Sequence, residues 1–308
     1  MSVFAALLIA AAVGFVPRVA VAQVGGDTSV DASLRYPTLG PGDWLLGRGT
    51  EVLPHLESGF GLDLDHLHEP LVIVDGSADG SPIVDRRTTA TILYGAGLFG
   101  IFQGTVAVPV VFQSGNGPGL FTGDSDQELE PAVLGALRLD FTATLPRPVL
   151  RGHGAALRLA LASGILFPTG DEAGFAGGGS FSGYVSAVGR ADFATVFGVF
   201  ELGLEGQGRF RDTDRLLDRA FGTELVLTPG AAFHFLERRV SVAAEVMSVI
   251  GLVSDSDPVV LGMLELRGRF LRNGAAELTV GGGLGFNDAS RSPNYQLVFS
   301  FRYIPRGP

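Results

Sequence analysis

The sequence has no cysteine among its 308 residues, which excludes a disulfide framework and a thiolate metal site. Beyond the N-terminus it also lacks any apolar run near the roughly 18 residues that a membrane-spanning helix needs. Basic residues are outnumbered, and the net charge of −10 argues against general nucleic-acid binding. Even so, 46% of the residues are hydrophobic. Apolar content without long runs is typical of a transmembrane β-barrel, in which apolar and polar residues alternate.

The stretch 294–303 shows this alternation most clearly. Its apolar and aromatic positions, from Tyr295 to Tyr303, fall on one face, whereas Gln296, Ser300 and Arg302 fall on the other. An aromatic residue at each end of the apolar row suits a strand that crosses a bilayer, because tyrosine rings settle at the headgroup level. The stretch also resembles the C-terminal insertion signal of bacterial outer-membrane barrels. That resemblance implies the barrel-assembly machinery as a partner.

Eleven similar segments precede this strand, joined by connectors that are alternately long and short. Outer-membrane barrels have long outside loops and short periplasmic turns. The sequence therefore predicts an all-β fold, a transmembrane antiparallel up-and-down β-barrel of about 12 strands over residues 50–304 of a bacterial outer-membrane protein. A soluble β-sandwich is the alternative architecture. The preceding segments lie at about residues 56–66, 88–98, 105–113, 133–142, 155–166, 181–190, 196–207, 224–235, 240–246, 264–270 and 277–286.

The two ends of the chain are expected to lie outside this barrel. Residues 1–22 carry an apolar run that ends in a small-x-small site at 20–22, which indicates a secretory signal peptide. A buried first helix of a soluble protein is the alternative for this run. Residues 23–49 are punctuated by glycine and proline, and we predict a periplasmic lead-in segment there. Residues 305–308 form a C-terminal tail.

Three stretches carry a resemblance to a known family. Residues 36–43, 51–55 and 167–176 resemble the N-terminal β-barrel half of certain OmpA-family outer-membrane proteins. In those proteins the barrel precedes a peptidoglycan-binding domain, for which this sequence has no room. The resemblance therefore implies a barrel fold without the cell-wall tether, and it transfers no catalytic residue.

Two places in the sequence hold residue types that could carry chemistry. The stretch 63–68 holds two aspartates and two histidines, but on a strand Asp63 and Asp65 face one way while His66 and His68 face the other. A metal ion or a hydrolytic Asp–His pair would need the strand to break there. A phospholipase would need a Ser–His pair on one wall, and His234 is the candidate histidine within a later strand. We predict no enzyme, no cofactor and no metal site.

The inward face predicts the function. A barrel of about 12 strands is too wide for wall side chains alone to fill and too narrow for a general porin. We therefore expect a structural barrel or a narrow passive pore. The alternatives are a transporter for a hydrophobic small molecule, with an N-terminal segment plugging the lumen, and an outer-membrane barrel enzyme. The candidate lumen-lining residues are Arg138, Asp140, Arg158, Glu201, Glu205, Glu265, Arg267 and Arg269.

The remaining expected partners follow from location and loop charge. Outer-membrane lipid and lipopolysaccharide surround such a barrel, and nucleic acid is not expected. One long loop is acidic, with Asp124, Asp126, Glu128 and Glu130 close together. Clustered carboxylates bind hard divalent cations, so weak Ca²⁺ or Mg²⁺ association is predicted there.

Overall fold

A computed structural model describes residues 33–73, 81–115, 129–145, 148–152, 155–170, 175–177, 180–216, 219–253, 256, 258–271, 274–287 and 289–304. Among these residues, no helix is long and apolar enough to cross a membrane. The same ranges contain sixteen β-strands. They are β1 (Ser58–Ile73), β2 (Ser81–Leu98), β3 (Phe102–Ser114), β4 (Ala132–Leu134), β5 (Arg138–Thr144), β6 (Leu150–Gly152), β7 (Ala155–Leu166), β8 (Ser182–Thr195), β9 (Gly198–Phe210), β10 (Asp214–Leu216), β11 (Arg219–Phe221), β12 (Glu224–Phe235), β13 (Val240–Gly251), β14 (Val259–Phe270), β15 (Ala276–Gly285) and β16 (Tyr295–Tyr303).

Twelve of these strands close into one antiparallel barrel. The order is β2, β1, β16, β15, β14, β13, β12, β9, β8, β7, β5 and β3, and pairing of β3 with β2 completes the ring. The first and last strands pair directly, with Phe60 opposite Tyr303. Of the four short strands, β4 pairs with β3, β6 pairs with β7, and β10 and β11 form a separate hairpin. The predicted all-β barrel of about 12 strands is thus confirmed.

The two faces of the wall differ as the alternation predicts. On β16, Leu297 and Phe299 are 54% and 40% exposed on the outside, whereas Gln296, Ser300 and Arg302 are buried inside. Because successive side chains of a strand point to opposite faces, this alternation gives an apolar exterior and a polar interior. Such an exterior contacts lipid, which makes the architecture that of a membrane-spanning barrel.

One local prediction is wrong. The predicted strand 133–142 is interrupted between β4 and β5, because the N–H of Ala136 bonds to Ala176 O at 3.2 Å in the connection that follows β7. In β12, the sequence Pro229-Gly230 would favour a β-bulge, but the β12–β13 register is unchanged from Leu227 to Gly230. Proline lacks the N–H for a ladder bond, and here its strand tolerates that loss without a shift in register.

An irregular segment occupies much of the interior of the barrel. We call residues 33–53 the plug segment; they form no helix or strand, and Leu34, Trp44 and Leu53 are at most 1% exposed. The structure therefore places residues 33–49 within the lumen, whereas the sequence led us to expect a periplasmic lead-in at 23–49. Its apolar side chains and backbone N–H groups find partners on the wall that a free lead-in would lack. The predicted signal peptide at 1–22, residues 23–32 and the tail at 305–308 lie outside the described residues.

Candidate functional site: the plugged lumen

The backbone of the plug segment is held by carboxylates of the wall. We call Glu205, Glu245 and Glu265, which come from β9, β13 and β14, the carboxylate cradle. The N–H of Leu45 donates to Glu265 at 2.8 Å. The next two N–H groups, at 46 and 47, donate to Glu245 at 3.0 and 2.7 Å, and that of Arg48 donates to Glu205 at 2.8 Å. Four consecutive plug amides are thereby fixed non-covalently to the wall, because each N–H has a carboxyl oxygen as its acceptor.

A second anchor ties the start of the plug segment to β1. Arg35 forms a two-pronged pair with Asp63, at 2.5 and 2.8 Å. Asp65 lies 3.7 Å from the same guanidinium group. Burial by itself lowers the pKa of Arg35, but the facing carboxylates outweigh it, and the pKa lies above its ordinary value. The guanidinium thus stays charged and offsets two neighbouring buried carboxylates.

Replacing Arg35 with leucine is therefore expected to destabilise the barrel by about 3–5 kcal/mol, since it leaves buried negative charge without its partner. Removing one of those charges should recover part of the loss. We expect Arg35→Leu to lower the temperature of the heat-modification shift seen by gel electrophoresis, and Arg35→Leu with Asp63→Asn to restore it in part. An equal or larger loss in the double variant would contradict this account of the anchor.

Aromatic rings inside the lumen are covered by arginines. The guanidinium of Arg190 lies 3.4 Å from the ring centroid of Trp44, and that of Arg209 lies 4.4 Å from the ring of Tyr36. Such stacking is attractive because the face of an aromatic ring is electronegative. Two further pairs of this kind join Arg48 to Tyr184 and Arg138 to Tyr36. The rings therefore fix the plug segment rather than line a free apolar path.

Two inward glycines leave room for the plug segment. A Cβ atom at Gly230 would collide with the ring of Trp44, and one at Gly281 would collide with Leu45. Because both collisions are with the plug segment itself, these positions require a residue without a side chain. Trp44 also packs against Ala232 and Ala243 of the wall. Small wall residues and large plug residues thus fit together.

The structure places all eight predicted lumen residues against the interior. It pairs Arg138 with Asp140 and Arg267 with Glu265, each at 2.9 Å. Glu205 and Glu265 belong to the carboxylate cradle. At the end of the barrel with the short turns, Arg158 lies 3.6 Å from Glu201, and at 20% it is the most exposed side chain of the set. Arg269 bonds to Glu277 at 2.9 Å.

Other functional residues of the interior were missed as candidates. The carboxylate of Glu277 forms salt bridges with the guanidinium groups of Arg267, Arg269 and Arg302, at 3.5, 2.9 and 3.3 Å. Glu245 lies on the polar face of its predicted strand, so the alternation placed it inside. What alternation cannot reveal is that its partner is the backbone of residues 46 and 47, 199 and 198 residues away.

A polar cavity of about 250 Å³ remains at the short-turn end, between the plug segment and the wall. Arg158, Arg190, Arg238 and Arg269 line it, together with Glu51, Glu201 and His234. A cavity of this size and polarity holds several water molecules. The plug segment therefore obstructs the bore without filling all of it.

The structure separates the polar groups of stretch 63–68 and brings His234 next to a serine in the buried interior. The strand does not break between 63 and 68, so Asp63 faces the lumen while His66 bonds to Thr88 at 2.9 Å on the outside. His234 does meet a serine, with its Nδ1 2.7 Å from Ser241 Oγ. Both residues are at most 4% exposed and face the plugged interior. A lipid substrate on the outer surface cannot reach them there.

The acidic-loop prediction falls largely outside the described residues. Of its four residues, the structure describes Glu130 but does not describe Asp124, Asp126 or Glu128. The expected divalent cation association therefore stays a prediction.

Comparisons with known proteins bear on the fold. No family model matches the chain, and no curated protein matches it, so no specific link to the OmpA family is shown. Among solved structures, an outer membrane channel from Pseudomonas putida F1 is similar, with 15% identity and a TM-score of 0.56 over 86% of this chain and 99% of that one.

Two further structures are similar at lower scores. The KdgM porin has 10% identity and a TM-score of 0.40 over 80% of this chain and 99% of that chain. The CymD monoaromatic hydrocarbon channel has 11% identity and a TM-score of 0.42 over 86% of this chain and 96% of that chain. The similarity to the Pseudomonas channel, together with the closed ring and its apolar exterior, makes this chain an outer-membrane β-barrel protein.

Proposed function

We propose that the protein is a narrow passive pore for small polar solutes, closed at rest by its own plug segment. The observation that carries the proposal is the carboxylate cradle, which holds four consecutive plug amides at 2.7–3.0 Å. Main-chain N–H groups and carboxylates are both well solvated by water once separated. The contact can therefore open without leaving groups that water cannot satisfy.

The interior supports a pore over a purely structural barrel. Wall side chains can fill an eight-stranded barrel, but a twelve-stranded one has a wider bore. Here a separate, irregular segment occupies that bore, and a polar cavity of about 250 Å³ remains beside it. Displacing the plug segment would join this cavity to the rest of a charged lumen, which suits polar solutes and ions.

The alternatives have less support. A transporter for a hydrophobic small molecule agrees with an N-terminal plug, but the inward rings are stacked under arginines and offer no bare apolar track. A barrel enzyme would have to use Ser241 and His234 in their buried position. Residues 36–43 and 51–53, which carry much of the resemblance to the OmpA family, belong to the plug segment inside the barrel, so they give no support to a cell-wall role.

The expected surroundings complete the proposal. Outer-membrane lipid and lipopolysaccharide cover the apolar exterior, and the aromatic last strand is recognised by the barrel-assembly machinery. Weak association of Ca²⁺ or Mg²⁺ at the acidic loop, through Asp124, Asp126, Glu128 and Glu130, is part of the proposal.

Planar-bilayer recording of the refolded protein tests this function. We expect low conductance at rest and short openings whose frequency rises with voltage, because an applied field pulls Arg35 and Arg48 of the plug segment in one direction and Asp43 and Glu51 in the other. Liposomes that contain the protein should admit small sugars slowly. A large, steady conductance like that of a general porin would contradict the closed resting state, and a barrel that never opens at any voltage would contradict a pore.

A further inference from the structure

A kink in the barrel wall brings three potential metal ligands together on the outer surface. In the pairing of β1 with β2, His68 lies opposite Arg86 and Leu71 lies opposite Val84. Two residues of β1, at 69 and 70, therefore lie opposite the single residue Asp85 of β2. Such a two-against-one arrangement is a β-bulge. Regular alternation would turn Glu69 into the lumen. Instead, with its φ of 52°, Glu69 lies beside its neighbour His68 and across from Asp85.

The bulge produces a compact set of donors. One ligand atom from each of His68, Glu69 and Asp85 lies within 4.8 Å of the other two. The Nδ1 atom of His68 and a carboxylate oxygen of Asp85 are 3.9 Å apart. Three ligands bound at about 2.0–2.2 Å to one ion lie somewhat closer than this, so the imidazole would leave its 3.2 Å contact with the backbone oxygen of Asp85 and rotate to complete the geometry. All three side chains are partly exposed, which leaves room for an ion to enter.

Neighbouring residues hold two of the three donors in position. Asn294 donates a side-chain hydrogen bond to Glu69. The ring of Tyr295 packs against the imidazole of His68, with 4.9 Å between centroids. Outer residues that orient ligands in this way raise the affinity of metal sites. Asn294 immediately precedes β16 and Tyr295 begins it, so the cluster joins three strands at the end of the barrel with the long loops.

We propose that His68, Glu69 and Asp85 form a binding site for a divalent transition-metal ion of the Zn²⁺ type. One imidazole and two carboxylates suit such an ion, with water in the remaining position. A hard cation such as Ca²⁺ needs six or more oxygen ligands and does not use imidazole, so the set discriminates against it. The bound ion would connect β1 to β2 across the bulge. This site is independent of the pore function.

Zinc titration of the refolded, untagged full chain in detergent tests the site by calorimetry. We expect saturable binding of one equivalent of ZnCl₂. His68→Ala should weaken the binding at least about tenfold, since loss of an outer supporting residue alone costs that much at known sites. His66→Ala is the matched control. It lies two residues away on the same outward face, where its partner is Thr88, and should leave zinc binding unchanged.

Two further measurements separate the site from general surface binding. Asp85→Asn should weaken zinc binding as His68→Ala does, and a large excess of CaCl₂ should not compete. Heat-modification gels verify that each variant forms the barrel. Absence of saturable zinc binding by the folded parent would overturn the proposal. An equal loss in His66→Ala and His68→Ala would also overturn it, because scattered surface groups would then account for the binding.

Discussion

Deleting residues 34–48 is expected to convert the closed barrel into an open one, with a several-fold rise in single-channel conductance. The deletion removes every amide that the carboxylate cradle holds and both large side chains that fit against Gly230 and Gly281. The wall strands begin at residue 58 and pair with one another, so the ring can still close without the deleted residues, although it loses the Arg35 anchor to Asp63. Water would replace them along the polar interior. Planar-bilayer recordings of the two refolded proteins measure the difference.

A reversible lock provides the matched control for this deletion. A Cβ atom at Gly47 would lie 3.4 Å from the Cγ2 atom of Thr228, a position that the sulfur of a cysteine at 228 could take, so the two sites are close enough for a disulfide. The natural chain has no cysteine, so Gly47→Cys with Thr228→Cys can form only one disulfide. We expect the oxidised variant to stay closed at all voltages and the reduced variant to open again. Equal conductance of the deletion and the parent, or openings of the oxidised variant as frequent as the parent's, would contradict the plug.

The barrel wall could be predicted because one simple repeat governs it. In a strand that separates lipid from a polar lumen, each side chain is assigned to a face by position alone, as Leu297, Phe299 and Arg302 illustrate. That rule needs no knowledge of which strands pair. The alternation rule predicted that charged side chains such as Arg267 and Glu265 face the lumen, but it did not predict which groups they contact there.

The plug segment could not be predicted in the same way, because it has no repeat. Its partners are distant in sequence: Leu45 bonds to Glu265 across 220 residues and Arg48 to Glu205 across 157. An indirect signal was present at Gly230 and Gly281, which leave gaps in the inward face of their strands. Such gaps indicate that something large approaches the wall, but only the folded chain identifies Trp44 and Leu45.

The bulge at residues 69–70 escaped prediction for a related reason. Inward and outward side chains alternate regularly along β1 up to His68, and that pattern does not indicate the change in register with β2 that follows. The shift depends on how the strand fits its neighbour, which the sequence of one strand does not contain. As a result, Glu69 joins His68 on the outside, a combination that strict alternation forbids.

Neutralising Arg267 and Arg269 together is expected to make the pore open more often and prefer cations. Arg267 donates to the backbone oxygen of Asp43 in the plug segment, and it pairs with Glu265 at 2.9 Å. Both arginines also contact Glu277. With glutamine at the two positions, Glu277 keeps Arg302 as its arginine partner within salt-bridge distance, and the lumen carries excess negative charge, which attracts cations.

The reversal potential in a salt gradient measures this preference, and the rate of openings measures the loss of plug contacts. Loss of buried partners should also lower stability, by about 3–5 kcal/mol for a broken buried pair. Arg86→Gln is the control, because Arg86 is exposed on the outer wall, where it lies 3.4 Å from Asp85. It removes a positive charge without touching the lumen, so its reversal potential should match that of the parent. An unchanged reversal potential in the double variant, or the same shift in the control, would mean that charges lining the lumen do not determine which ions pass.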